Sequence, residues 1–373
     1  MERALIEETG RTLRDNPKAC EFLRRLLRDA NRSCDTAASS LLLAADPEWH
    51  PGRLPARLLR GARLDGARWA GIDLRDAALH GAMLREADLS EGRLDGAKLH
   101  NAELGGANLC RASLRGAAGI AADFTNAKLR GADLRSAVFQ DSTFEDADLE
   151  GARLQSCELT KVNLTRACLR NVSFIRTTIA SPVLDGTDLR GVQLAHATLR
   201  DADLRDATLD GASFAHASAV QCIFEGIDLA DADFDTATLT GSLFTGSRMP
   251  HANFRGAKLT SSGLAEIDWP GADLRDADLR GATFHMGSSR SGLVGSPIAC
   301  EGSRTGFYTD DYNDRDFKAP EEIRKANLRD ADLRGANIDG VDFYLVDLRG
   351  AKYTPEQAKH FARCGAILRS RVV

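Results

Sequence analysis

No stretch of this chain approaches the ~20 consecutive apolar residues that cross a bilayer. The opening MERALIEETGRTLRD is charged throughout and has no apolar core of a secretory leader. A cytoplasmic protein without membrane contact is therefore expected. A basic excess is also lacking: 49 Lys and Arg stand against 54 Asp and Glu, a net charge of −5, which argues against direct nucleic-acid binding. The eight cysteines (Cys20, Cys34, Cys110, Cys157, Cys168, Cys222, Cys300 and Cys364) are scattered, with no CxxC pair and no histidine at ligand spacing. No metal site is read from them, and nothing in the sequence calls for a cofactor.

What is present is a period of five. Counted by fives from Leu54 to Phe284 there are 47 sites, nearly all Leu or Phe. Trp69, Ile179, Met249 and Trp269 are the large substitutes, and only Gly119 and Ala219 are small. The residue two before each large one is mostly Ala, with Ser142, Ser242, Cys157 and Cys222 among its replacements, so those two cysteines are read as core filler. Residues five apart on an α-helix lie about 140° from each other and would bury nothing together. One small and one large inward position in every five instead suit a chain that turns a corner every five residues, leaving three positions for Arg, Asp, Gly, Thr, Ser and Asn in water.

The units ADLSE, AKLHN, ANLCR, ADLRS, ADLEG, ADLRD and ADLRG resemble the A(D/N)LXX motif of the pentapeptide-repeat family. That resemblance implies an all-β fold, a right-handed quadrilateral β-helix with four units, or about 20 residues, per coil. The phenylalanines agree with such a coil. Phe124, Phe144, Phe224, Phe244 and Phe284 share one column of a 20-residue repeat, Phe174, Phe214, Phe234 and Phe254 share another, and Phe139 stands apart. Rings so placed can stack along the axis.

The ends read as helices. Residues 1–50 are expected to form an N-terminal cap. Within it Asn16 and Pro17 open a helix to Arg32 whose apolar face is Phe22, Leu23, Leu26, Leu27 and Ala30, and a second helix spans residues 37–45. The β-helix follows over 51–284. Residues 285–323 break the pattern as an inserted loop, 324–353 resume it, and 354–373 hold a capping helix and tail. Thr354-Pro355-Glu356-Gln357 is a capping box, and Gly365 stops the helix, with Phe361 and Ala358 closing the end of the coil.

The sequence holds no catalytic constellation, so the primary reading is a non-enzymatic scaffold or protein-interaction module with a protein partner. Its recognition element is the long insert, because such loops tend to be functional. The candidate contacts are Arg290, Arg304, Phe307, Tyr308, Asp310, Asp311 and Tyr312, aromatics beside charges as in binding hot spots. TDDYNDRD lacks the spacing of a calcium loop, and GSSRSG and GSRTG lack that of a phosphate loop. A small-ligand or enzymatic role of the loop is a further alternative. The main alternative comes from the resemblance, since some members of the family protect DNA gyrase as DNA mimics. An acidic run, Asp201, Asp203, Asp206, Asp210, Glu225, Asp228, Asp231, Asp233 and Asp235, faces only Arg205 and fits that reading, with gyrase as partner. The same resemblance implies a homodimer through the C-terminal helix.

Overall fold

Each unit of five makes the same local structure. In Leu134-Arg135-Ser136-Ala137 the Ala137 N–H donates to the Leu134 carbonyl at 2.9 Å and Ser136 has φ 60°, a β-turn with positive φ at its third residue. Glycine or a short polar residue fills that place at low cost. Where Thr236 (φ 51°) or Leu345 (φ 56°) occupies it, the coil holds a side chain in a conformation its Cβ disfavours. Between turns the backbone reaches the neighbouring coils. Glu103 N–H donates to Ala82 O at 2.9 Å and Leu104 N–H to Asp123 O at 2.7 Å, so each rung is satisfied above and below.

The computed structural model describes residues 3–28, 35–46, 49, 59–284 and 325–368. They form a parallel β-solenoid with helices before and after it. The step is 20 residues on all four faces: Asp88 pairs with Asn108, Arg93 with Ser113, Lys98 with Ala118, and Glu103 with Asp123. Inward Leu and Phe are closed off from water, each contributing about 1.5–3 kcal/mol. The chain divides into two compact units, Met1–Val192 and Gln193–Val373.

The first unit begins with α1 (Arg3–Arg14), α2 (Pro17–Arg28) and α3 (Asp35–Ala45). Asn16 caps α2 as expected, its Oδ1 accepting from Ala19 N–H at 3.1 Å. It is α3 that meets the coil: Thr36 Oγ1 donates to Arg60 O, and Ser40 Oγ accepts from Arg63 N–H at 2.8 Å. The α3 sequence, DTAASSLLLAA, is apolar nearly all round because α1 and α2 pack on it as well. Gly10 lets α1 approach so closely that an added Cβ would lie 2.6 Å from Ala44 Cβ. Of the expected apolar face of α2, Phe22 is corrected, being 61% exposed while Cys20 is buried, and Leu23 is half-buried; the side chains of Leu26 and Leu27, and the expected continuation through Ala30 to Arg32, lie outside the described residues. Trp69 Nε1–H donates to Trp49 O at 2.7 Å beside the first coils. Further on, β1 (Ala118–Ile120), β2 (Val138–Gln140), β3 (Glu158–Thr160) and β4 (Thr178–Ala180) pair in parallel on one face. Phe124 and Phe144 stack at 4.7 Å, with Phe139 edge-on to both.

The second unit carries the paired strands β5 (Thr198–Arg200) and β6 (Ser218–Val220). Its two phenylalanine columns stack as read from the sequence, Phe214, Phe234 and Phe254 at 4.9 Å steps and Phe224 on Phe244 at 4.8 Å. The columns also meet edge-on across the core, as Phe234 does with Phe244 at 6.1 Å. After Phe284 comes the insert, whose residues lie outside the described ones. The ladder then resumes in register, Asn327 on Asp268, Asp332 on Asp273 and Asn337 on Asp278. Helix α4 (Pro355–Cys364) has the expected capping box at Thr354 and Gln357 and an αL Gly365 at its C-cap. Gln357 Nε2 donates to Leu333 O at 2.7 Å and Ala336 O at 3.1 Å, fastening α4 to the end of the coil. Phe361 is fully buried against Phe343 and Tyr353 of its own chain. Ala358 is half-buried.

Candidate functional site

The outward positions of the coil carry the charges, and many of these are already committed. In the recurring Asp-Leu-Arg triplet the arginine folds back on the aspartate two residues before it. Asp133 accepts from Arg135 Nε at 2.8 Å, and Asp203, Asp273, Asp278 and Asp332 hold Arg205, Arg275, Arg280 and Arg334 in the same bidentate way. The same Asp133 carboxylate accepts from the Arg135 backbone N–H at 3.2 Å. The arginine side-chain bond is the main cause that holds Asp133 and Asp203 below the usual carboxylate range. This clamp was missed in the sequence, although the repeated DLR triplet is its visible sign.

The acidic run of the second unit does not gather on one face. Asp201 belongs to the face of Leu199; Asp203, Asp206 and Glu225 to the face of Leu204 and Phe224; Asp210, Asp228 and Asp231 to the face of Leu209 and Leu229; and Asp233 and Asp235 to the face of Phe234. Several are neutralised. Asp203 is bound by Arg205, Glu225 lies 3.9 Å from the same guanidinium, and Asp228 meets Arg248 at 3.0 Å. Asp233 accepts from Asn253 at 3.0 Å. The candidates Arg290, Arg304, Phe307, Tyr308, Asp310, Asp311 and Tyr312 lie outside the described residues, as do the motifs TDDYNDRD, GSSRSG and GSRTG.

Among the described residues, two of the cysteines are sealed in the core. Burial pushes the Cys157 and Cys222 thiols up to about 12, and Cys157 Sγ donates to Leu134 O at 3.0 Å, so both sit as small core side chains. Cys364 and His360 come within 3.4 Å at α4. There His360 Nε2 is 2.7 Å from the Val341 carbonyl, which can only accept, so that nitrogen carries the proton and cannot act as base for the thiol. A cavity of about 400 Å³ beside α4 is lined by Asn337, Asp339, Glu356, His360 and Arg363. Asp148, Glu150 and Cys168 bring potential ligand atoms within 4.8 Å of one another. Arg130 already occupies that cluster, 2.6 Å from Glu150 and 3.6 Å from Asp148.

The family model for pentapeptide repeats matches stretches from 58–91 through 264–287 and again at 323–352, which together span more than half of the chain. The chain is a pentapeptide-repeat protein. Among solved pentapeptide-repeat structures, HetL, involved in heterocyst differentiation regulation in the cyanobacterium Nostoc sp. strain PCC 7120, is 29% identical, covering 58% of this chain and 91% of its own, at a TM-score of 0.38. QnrB1, a plasmid-mediated fluoroquinolone resistance protein, is 17% identical over 66% of this chain and 97% of its own, at a TM-score of 0.29. A pentapeptide repeat protein from the Arabidopsis thaliana thylakoid lumen is 30% identical over 31% and 69%, at a TM-score of 0.15. No curated protein matches the pentapeptide-repeat chain. Among the described residues no helix is long and apolar enough to cross a membrane.

Proposed function

We propose that this pentapeptide-repeat protein is a non-catalytic scaffold that binds a protein partner through its insert, residues 285–323. One observation carries the reading. Asn327 pairs with Asp268 as the residue 20 further on would in an uninterrupted coil, although 59 residues separate them. The ladder therefore continues as if the 39 additional residues were absent, and an insertion that leaves the register of the coil undisturbed is where recognition evolves at least cost to the fold. The arginine–aspartate clamps support the same division of labour, because they spend the regular faces' charges internally. The dispersal of the acidic run from Asp201 to Asp235 over four faces favours the scaffold over a gyrase-binding DNA mimic, which needs one continuous negative stripe.

The test is affinity capture from lysate with the intact chain and with residues 287–318 replaced by a short Gly-Ser linker. The scaffold reading predicts a captured protein that is lost with the insert. Gyrase subunits retained by both forms, with gyrase supercoiling altered by either, would replace it with the mimic.

A further inference from the structure

In the second unit histidine occupies the same place of the coil on two neighbouring rungs. Ala195-His196-Ala197-Thr198 and Ala215-His216-Ala217-Ser218 repeat nearly the same letters one 20-residue step apart, beside the paired strands β5 and β6. Each histidine takes the turn position with positive φ, 58° at His196 and 59° at His216. Matching backbone sends the two side chains out of the coil together, and their imidazoles stack with centroids 5.0 Å apart and planes 9° from parallel. Both residues are exposed. The adjoining Ala195 and Ala215 are too short to cover the rings, and the charged residues that flank this turn one rung on are carboxylates, Asp233 and Asp235.

Thr236 continues the column, and His216 Nδ1 is hydrogen-bonded to its Oγ1. A hydroxyl accepts as readily as it donates, so Nδ1–H can donate here and leave the lone pair on Nε2. Fixed through one ring nitrogen and open at the other is how metal-ligating histidines are held. The histidine ladder of the first unit shows the contrast. His80 and His100 also lie 5.0 Å apart, but His100 Nδ1 accepts from Ile120 N–H at 3.0 Å. Its proton therefore sits on Nε2, and neither nitrogen has a lone pair to offer a metal.

We infer that His196 and His216 together chelate one divalent transition-metal ion of the zinc type, with water completing the coordination and Thr236 as a positioning residue. Zinc–nitrogen bonds of about 2.0–2.1 Å in tetrahedral geometry hold two nitrogens roughly 3.4 Å apart. The rings reach that separation from their 5.0 Å stack by tilting their outer edges together, a rotation about the broad terminal torsion of histidine. The carboxylates of Asp233 and Asp235 favour a cation in this place. The site stands whether or not the insert binds a protein.

Calorimetric titration of the untagged full chain with Zn²⁺ tests it. One ion per chain should bind, and the loaded chain should melt at a higher temperature. His196→Asn and His216→Asn fold readily, because asparagine tolerates the left-handed turn position, and each should weaken binding about tenfold or more. Thr236→Val keeps the shape, removes the hydroxyl and should weaken binding about tenfold. His100→Asn should leave the affinity unchanged, as should Cys168→Ser, which separates this site from the cluster of Asp148, Glu150 and Cys168. Melts without metal verify that every variant is folded. No Zn²⁺ binding by the intact chain, binding that survives either substitution at His196 or His216, or binding lost with Cys168→Ser overturns the proposal; an unchanged affinity in Thr236→Val overturns the part given to Thr236.

Discussion

Asn327 lies directly on Asp268: its side-chain amide donates to Asp268 Oδ1 at 2.6 Å, and its backbone N–H to Ile267 O at 2.7 Å. This contact closes the coil across the insert. Asn327→Ala should cost on the order of 1–2 kcal/mol, the value of a partly buried hydrogen bond to a charged acceptor, read as a lower denaturant midpoint. Asn337→Ala, a rung further on, should cost less, because no side-chain bond from Asn337 to its ladder partner Asp278 accompanies that bridge among the described residues.

The register can be challenged at neighbouring residues. Leu134 is fully buried and Arg135 is a solvent-facing clamp on Asp133. Leu134→Asp should abolish soluble folded protein, since an unpaired buried carboxylate costs several kcal/mol. Arg135→Ala should lower stability by no more than about 1 kcal/mol, as partly exposed ion pairs do. Equal tolerance of both in a thermal melt would refute the inward and outward assignment.

Phe234 is held between Phe214 and Phe254, 4.9 Å from each. Phe234→Ala should cost about 3–5 kcal/mol by leaving a cavity in the column. Phe234→Leu, which refills the site with the repeat's commonest residue, should cost clearly less. Chemical denaturation of the two variants separates lost ring packing from lost volume.

The clamped aspartates set a direction for pH dependence. Arginine bonds depress the folded-state values of Asp133, Asp203 and Asp273. Their stabilisation is therefore complete above the unfolded carboxylate value of about 3.9 and is lost as pH falls from there through the lower folded values. The melting temperature should hold from neutrality to about pH 5 and decline below about pH 4. Arg135→Ala should make that decline shallower.

Much of this was legible in the sequence because a period of five with one large and one small apolar residue admits few chain geometries. Leu134 and the capping box at Thr354 could be placed from spacing, and the phenylalanine columns once the resemblance to pentapeptide repeats supplied a coil of four units. Phe22 was misplaced because helical periodicity marks two adjacent apolar residues as one face, while the packing of α2 on α3 chooses between them. The acidic run was misleading because nearness in sequence is not nearness on a coil that turns every five residues: Asp228 and Asp233 belong to different faces.

The central claim is that the coil closes without the insert. Amide hydrogen exchange tests it directly, comparing residues 262–284 and 326–348 in the intact chain and in the chain with 287–318 replaced by a Gly-Ser linker. Unchanged protection of Trp269 N–H, which donates to Asn327 O at 2.8 Å, and of its neighbours is the predicted result. Loss of protection on both sides of the junction would make the insert part of the fold and contradict the account.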